Sequence, residues 1–106
     1  MGYTTGETKL ANKVIGYLDE LQKRGHPIYY EHRSGSGGFN YKKGVPDFFM
    51  VINGTHVECE LKDVGGKRST MQDKFKYRCE AVWKIRYICP TTLEEVKNLV
   101  EELLRQ

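Results

Sequence analysis

The stretch Gly44–Lys62, GVPDFFMVINGTHVECELK, contains two strand-like segments joined by the dipeptide Asn53-Gly54. Asn-Gly between two such segments is the strongest short-range signal of a tight β-hairpin. The hairpin returns the second segment antiparallel to the first, so Asp47 is predicted to lie beside the Glu60–Lys62 end. Carboxylates separated by twelve residues in the sequence therefore converge in space.

Asp47 is an unusual residue at the start of an apolar strand. It follows Pro46 and precedes the five apolar residues Phe48–Ile52. Burying an ionised carboxylate without a partner is costly. Asp47 therefore either belongs to the turn before the strand or is held at the strand start for a function.

The second segment of the hairpin alternates between apolar and charged residues. One face is predicted to be apolar and the other charged, with Val57, Cys59 and Leu61 on the first and Glu58, Glu60 and Lys62 on the second. An edge strand with a solvated face explains this pattern. A functional site explains it as well, because the hairpin brings Asp47 beside this strand.

Asp47 and Glu60 supply converging oxygen atoms, which are the ligands that Mg²⁺ or Mn²⁺ requires. Such an ion polarises a phosphoryl oxygen and lowers the pKa of a bound water. Lys62 shares the face of Glu60 and can orient that water or stabilise charge developing on a phosphate. Pairing of Lys62 with its acidic neighbours is the alternative, and it requires no phosphate.

Two further polar residues extend this candidate site. Glu7 begins the apolar stripe of the first predicted helix, although an acid at a helix N-terminus is favourable for that position alone. Gln72 lies in the first turn of the second predicted helix, where an amide can hold a water, an ion or a phosphate. A surface residue is the simpler interpretation of Gln72 taken alone.

Periodicity and capping residues predict the other elements of the chain. Helices are predicted over Glu7–Arg24, from Ser69 or Thr70 to Val82, and from Thr92 to Arg105, with strands over Pro27–Arg33, Asp47–Ile52, Thr55–Lys62 and Ile85–Cys89. The second helix is predicted to carry an apolar stripe of Met71, Phe75, Cys79 and Val82. The order α-β-β-β-α-β-α favours one α/β domain, residues 1–106, with a small mixed β-sheet flanked by helices.

The composition is typical of a globular protein, with 39% hydrophobic and 29% charged residues and a net charge of +3. The longest apolar run is far shorter than the roughly 20 residues that span a bilayer, so no membrane association is predicted. Cys59, Cys79 and Cys89 lack the paired spacing of zinc sites. They are predicted to be buried, reduced thiols of an intracellular protein.

Basic residues flank the acidic motifs and form a local positive rim at Lys42, Lys43, Lys62, Lys67 and Arg68. Such a rim can hold the phosphates of a nucleic acid, although ordinary solvated charge has the same appearance. The residues predicted to contact nucleic acid are Arg33, Lys42, Lys43, Lys67 and Arg68.

Pro46-Asp47, followed after twelve residues by Glu60-Leu61-Lys62, matches the PD-(D/E)xK nuclease signature. With a glutamate in the first helix (Glu7), KGVPD at Lys43–Asp47 and GKRSTMQ at Gly66–Gln72, the chain resembles the VRR-NUC family. The stand-alone type typical of bacteriophages is the most similar, and the resemblance extends over nearly the whole chain.

The resemblance implies a restriction-endonuclease-like core and a metal-dependent endonuclease that hydrolyses phosphodiester bonds in DNA. It implies that Mg²⁺ or Mn²⁺ is bound by Glu7, Asp47, Glu60 and the main-chain carbonyl of Leu61, that Lys62 serves the attacking water, and that Gln72 supports the site. A homodimer similar to Holliday-junction resolvases, acting on branched or duplex DNA, is also implied. A phage-encoded member would act in the cytoplasm of a bacterial host.

The resemblance has one departure. Family members often carry a glycine after the helix that bears Gln72, where this chain has Val82-Trp83-Lys84. The sequence therefore leaves the end of that helix open.

Two other functions fit the sequence. A catalytically inactive DNA-binding module on the same fold is the first, although binding phosphates alone favours basic residues over converging acids. A small structural protein is the second, and it leaves Asp47 unexplained.

Overall fold

The computed structural model describes residues 6–33 and 44–106, which form a four-stranded sheet with helices packed against it. The helices are α1 (Gly6–Lys23), α2 (Thr70–Tyr77) and α3 (Leu93–Leu104), and the strands are β1 (Ile28–His32), β2 (Phe48–Ile52), β3 (Thr55–Cys59) and β4 (Arg86–Ile88). A π-helical segment, Arg78–Trp83, follows α2 directly. The predicted fold class and element order are confirmed.

The sheet is mixed and its strands lie in the order β1-β2-β3-β4. The pairs β1–β2 and β2–β3 are antiparallel, whereas β3 and β4 are parallel. A parallel neighbour requires a long crossover connection, usually a helix. In this chain α2 and the π-helical segment form that crossover.

The predicted hairpin between β2 and β3 is confirmed. Its register runs from Phe48 opposite Cys59 to Ile52 opposite Thr55. Asn53 and Gly54 have φ values of 50° and 85°, as the central residues of a type I′ turn require. The Nδ2 atom of Asn53 also donates to the carbonyl of Leu103 at 3.0 Å, so the hairpin turn is tied to the end of α3.

The hydrophobic core lies between one face of the sheet and the helices α1 and α3. The strands contribute Phe48, Met50, Ile52, Val57 and Cys59, and the helices contribute Leu10, Val14, Leu18, Val96, Val100 and Leu103. Alternation along each strand places these side chains on the same face. The predicted apolar face of β3 is therefore the face that packs against the core.

The prediction for the second helix is wrong at its C-terminal half. The α-helix ends at Tyr77, and the segment Arg78–Trp83 continues as π-helix with wider turns. Wider turns shift the angular position of each following residue, which separates Val82 from the face of Cys79, while Met71 is exposed in the α-helical part ahead of these turns. Cys79 is buried, whereas Met71 and Val82 are 46% and 59% exposed.

Lys84 ends the π-helical segment in a left-handed conformation, with φ 58° and ψ 40°. Its backbone N–H donates to the carbonyl of Cys79. This conformation favours glycine and costs other residues roughly 1–2 kcal/mol. The predicted family often has a glycine near this point, where this chain has Val82-Trp83-Lys84. Lys84 adopts the conformation that glycine would adopt without strain.

All three cysteines are free. Cys59 and Cys79 are buried as predicted, whereas Cys89 is half-buried. Within residues 6–33 and 44–106, no helix is both long enough and apolar enough to cross a membrane.

Candidate active site

Asp47 lies immediately before β2, between the buried Pro46 and Phe48. Its Oδ2 atom accepts a hydrogen bond of 2.8 Å from the backbone N–H of Leu61. The register of the hairpin explains this contact. Phe48 is opposite Cys59, so the residues just beyond them, Asp47 before β2 and Glu60 and Leu61 after β3, lie side by side. The predicted meeting of Asp47 with the Glu60–Lys62 end is confirmed.

Glu60 follows β3 and is almost fully buried, with 3% of its surface exposed. Its Oε2 atom accepts a hydrogen bond of 2.9 Å from Nε2 of Gln72 and lies 3.9 Å from Nζ of Lys62. Its Oε1 atom is buried too, and no donor among the described residues reaches it. An unpaired buried carboxylate oxygen is costly, and a cation or a proton can remove that cost.

Burial raises the pKa of Glu60 from its ordinary value of 4.5 to about 8. The negative charge of Asp47 is the second cause, and a hydrogen bond to Asp47 also favours the protonated form. The charge of Glu7 raises this pKa as well, whereas Lys62 lowers it. Neighbouring buried carboxylates repel one another when ionised, and either a proton or a bound cation relieves that repulsion.

Gln72 is oriented by its own helix. Ser69 caps α2, and the side chain of Gln72 completes the capping box by accepting from the N–H of Ser69 at 2.8 Å. The amide oxygen of Gln72 is therefore hydrogen-bonded to the start of α2, and its amide nitrogen donates to Glu60. The structure thus brings Gln72 into contact with Glu60, and its support of a metal site stays a prediction.

Gly44 explains the glycine in the KGVPD stretch. Its φ is 85°, and a Cβ atom at this position would lie 2.7 Å from the backbone carbonyl of Met71. Only glycine accepts both the positive φ and this close approach. The absence of a side chain at Gly44 therefore lets the segment that carries Asp47 pack against the first turn of α2.

Glu7 lies in the first turn of α1 and is half-buried. A Cβ atom on the neighbouring Gly6 would clash with the carboxylate of Asp63, so the start of α1 touches the loop that follows Lys62. Glu7 is therefore near the carboxylate pair, as its effect on the pKa of Glu60 also shows. The other three predicted metal-binding residues lie together: the N–H of Leu61 donates to Asp47, and Glu60 precedes Leu61 in the chain.

The donor set suits a hard divalent cation, because two carboxylates converge and one buried oxygen has no hydrogen-bond partner in the described chain. In the described parts of the chain, however, no three His, Cys, Asp or Glu side chains are grouped closely enough to form a metal site by themselves. A complete set would therefore include the main-chain carbonyl of Leu61 or a small movement of Glu7. The residues present fit Mg²⁺ or Mn²⁺ on these terms.

Basic residues line a cleft of about 440 Å³ beside Lys62. Lys67 and Arg68 contribute to this cleft, together with Cys89 and Thr91. The guanidinium of Arg68 also donates to Asp73 at 2.8 Å. These positions are consistent with the predicted phosphate contacts, which stay predictions.

The other predicted DNA contacts lie elsewhere. Lys42 and Lys43 fall outside the described residues, as does the glycine-rich stretch of residues 34–40. Arg33 is mostly buried and forms an ion pair of 2.7 Å with Glu58. Its role as a DNA contact stays a prediction, with most of its donors already used inside the protein.

Two residues near the site were not singled out as site residues from the sequence. Glu58 is as buried as Glu60 and is bonded to Arg33 and His56. The hydroxyl of Tyr87 is buried without a hydrogen-bond partner in the described part of the chain. Alternation placed Glu58 on the charged face, but no sequence signal pairs it with Arg33 or identifies Tyr87.

Comparison with known proteins bears on the fold. No family model matches the sequence, and none of the curated proteins is significantly similar to it. A solved structure described as a "VRR_NUC domain protein" superposes with a TM-score of 0.70, covering 99% of this chain and 91% of that one at 19% identity. The chain has the VRR-NUC fold. The resemblance predicted from the motifs is thereby confirmed at the level of the fold.

Proposed function

We propose that this protein is a metal-dependent endonuclease that hydrolyses phosphodiester bonds in DNA. The observation that carries the proposal is the pairing of Asp47 with Glu60, whose Oε1 atom is buried without a donor in the described chain. A structural acid in such a position would be expected to have a hydrogen-bond partner. The VRR-NUC fold, together with the position of Lys62 beside this pair, supports the same function.

Asp47, Glu60, the carbonyl of Leu61 and Glu7 would hold Mg²⁺ or Mn²⁺. A bound ion of this kind would polarise a phosphoryl oxygen and lower the pKa of a water molecule. The two central carboxylates are each held by a contact in the structure: Leu61 orients Asp47, and Gln72 orients Glu60.

Lys62 is the proposed partner of the attacking water. Its ammonium lies 3.9 Å from Glu60 and is largely shielded from solvent, so it can orient a water and stabilise charge that develops on the phosphate. Lys67 and Arg68, which line the cleft beside Lys62, would bind the flanking phosphates.

We further propose that the protein is structure-selective and acts as a homodimer on branched DNA such as a Holliday junction, because symmetric cleavage of a four-way junction needs two sites. Exposed large apolar side chains support a second copy: Tyr29, Met71, Tyr77, Val82 and Trp83. Tyr30, beside Tyr29 on β1, is half-buried and donates to Asp19, and the aromatic residue Phe39 lies outside the described residues. Three free cysteines suit a reducing, intracellular location, such as a bacterial cytoplasm if the protein is of the phage type.

Cleavage of labelled duplex, flap and four-way-junction DNA tests the function. The wild type should cut with Mn²⁺ or Mg²⁺ and not with EDTA, and Asp47→Ala and Lys62→Ala should lose cutting. The exposed residues Glu94 and Lys13 give matched controls, since Glu94→Ala and Lys13→Ala should cut normally. Cutting in EDTA, or undiminished cutting by Asp47→Ala, would contradict the proposal.

A catalytically inactive DNA-binding module is the second candidate. The observation that favours it is the lack of three grouped metal-binding side chains in the described residues. Binding without cutting on every substrate would support this module. Light scattering at micromolar concentration tests the homodimer separately, and a monomer alone would contradict it.

A further inference from the structure

We infer that Arg33 and Glu58 act together as positioning residues for Asp47, an inference that rests on the proposed nuclease function. The two residues form a buried ion pair on the far side of β2 from the core, next to the strand end that carries Asp47. We refer to them as the Arg33–Glu58 pair. Neither residue touches the proposed reacting atoms, so their effect passes through the main chain of Asp47.

Arg33 holds the main-chain carbonyls on both sides of the Cα atom of Asp47. Its backbone N–H donates to the carbonyl of Asp47 at 2.6 Å, which continues the β1–β2 ladder by one residue. Its Nη1 atom donates to the carbonyl of Pro46 at 3.1 Å. Two consecutive carbonyls are thus fixed by the backbone and the side chain of one residue.

Glu58 fixes the guanidinium of Arg33 in turn. Nη1 and Nη2 of Arg33 donate to the two carboxylate oxygens of Glu58 at 2.7 Å and 3.3 Å. His56 contacts Oε2 of Glu58 at 2.7 Å. The side chain of Arg33 is 16% exposed and that of Glu58 is 4% exposed. A planar guanidinium held at two points has one orientation, so its remaining donor capacity is aimed at Pro46.

The side chain of Asp47 is held from the opposite direction. The N–H of Leu61 fixes Oδ2, while the Arg33–Glu58 pair fixes the backbone to which this carboxylate is attached. Loss of either contact lets the carboxylate move relative to Glu60. Outer contacts that orient metal ligands typically contribute about 10- to 100-fold in metal affinity or activity.

These contacts separate the inference from a role for Arg33 in DNA binding. A phosphate contact depends mainly on positive charge, which lysine retains, whereas the two-point orientation requires a guanidinium. Arg33→Lys is therefore the decisive variant. Arg24→Lys is its control, because Arg24 forms an exposed ion pair of 3.2 Å with Glu20 on α1.

The first measurements are Mn²⁺ affinity by titration calorimetry and single-turnover cleavage at saturating DNA. For Arg33→Lys we expect both to fall by about 10- to 100-fold. DNA affinity in EDTA, and its dependence on salt, should match the wild type. Unchanged Mn²⁺ affinity and cleavage would overturn the inference. A salt dependence of DNA binding that falls by about one phosphate contact when the positive charge is removed, in Arg33→Met with Glu58→Leu, would overturn it as well and assign Arg33 to DNA.

A double variant controls for folding. Arg33→Met with Glu58→Leu removes both buried charges at once, a change that often preserves or increases stability. We expect this variant to keep the thermal midpoint of the wild type and still lose Mn²⁺ affinity and cleavage. A folded double variant with wild-type Mn²⁺ affinity would contradict the inference.

The wild type distinguishes this inference from the proposed function. If the wild type binds Mn²⁺ and cuts DNA while the variants are unaffected, the inference alone fails. If the wild type neither binds Mn²⁺ nor cuts any substrate, the proposed function fails, and the positioning role fails with it.

Discussion

Glu58 and Glu60 lie two residues apart at the end of β3, and each is 3% exposed. Glu58 accepts from Arg33 with both oxygens and contacts His56. Glu60 accepts from one amide, lies beside Asp47, and has one oxygen without a donor in the described chain. Equal burial thus accompanies different electrostatics: Glu58 is neutralised by Arg33 at 2.7 Å, whereas the nearest cation to Glu60 in the described chain is Lys62 at 3.9 Å and Asp47 lies beside them. The balance of charge, and not burial, distinguishes a candidate metal ligand from a structural acid.

Replacing each glutamate by glutamine should give the largest contrast. Glu58→Gln leaves the buried charge of Arg33 without its partner and should lower the free energy of unfolding by about 3–5 kcal/mol. Glu60→Gln removes a carboxylate that Asp47 repels and should increase stability in the absence of metal, while abolishing cleavage. Denaturant unfolding with EDTA, together with a cleavage assay, measures both. Equal effects of the two substitutions on stability would show that the glutamates do not differ as described.

Gln72→Glu tests the orientation of Glu60. Glutamate can still accept from the N–H of Ser69 and preserve the capping box, but it cannot donate to Glu60. We expect cleavage to fall by about 10- to 100-fold, and the thermal midpoint without metal to fall as well, because the new carboxylate lies beside Glu60. Asn98 is exposed in α3, so Asn98→Asp is the control for an added negative charge. The same loss of cleavage in Asn98→Asp would assign the effect to charge alone.

The pH dependence of stability should come from Glu60. Its pKa in the folded protein is raised from 4.5 to about 8, so the folded state keeps a proton that the unfolded chain releases in this range. Without metal, the contribution of Glu60 to the free energy of unfolding should therefore be most favourable below about pH 4.5. It should decrease as the pH rises toward about 8. Thermal unfolding with EDTA across this range measures it, and Glu60→Gln should remove the slope.

Mn²⁺ should act in the opposite direction, because the ion competes with the proton at Glu60. Its stabilising effect on the thermal midpoint is expected to be larger at about pH 8 than at about pH 5, since stabilisation by a ligand follows its affinity. An equal shift at both values would argue against binding at this carboxylate.

His56→Ala should have the smallest effect. His56 contacts Glu58, which keeps both hydrogen bonds to Arg33 when the imidazole is removed. We expect a loss of about 1 kcal/mol in stability and cleavage within about twofold of the wild type. A large loss of cleavage in a folded variant would extend the positioning role from the Arg33–Glu58 pair to His56.

Much of the site was predictable because the hairpin is local. Asn53-Gly54 selects a type I′ turn, and the turn determines which residues of β2 and β3 are opposite each other. The contact of Asp47 with Leu61 follows from that register. The capping residue Ser69 and the position of Gln72 were likewise visible in the sequence.

The C-terminal half of the second helix was not predictable in the same way. A period of 3.6 residues assigned a single stripe to Met71–Val82, but the π-helical turns from Arg78 onward change that period. Their formation depends on the left-handed Lys84 and on packing beside β4, where Ile85 donates to the carbonyl of Cys79 at 2.7 Å. Local propensity contains no signal for these turns.

The sequence by itself determined the strand pairing of the hairpin, the helix caps and the convergence of Asp47 with Glu60, because turns and caps depend on near neighbours in the chain. Only the tertiary structure decided that Glu58 and Glu60 differ. The cation that neutralises Glu58 comes from Arg33 at the end of β1, twenty-five residues away, and the amide that orients Glu60 comes from α2. Counter-charges are set by which distant segments meet, and alternation along one strand cannot reveal them.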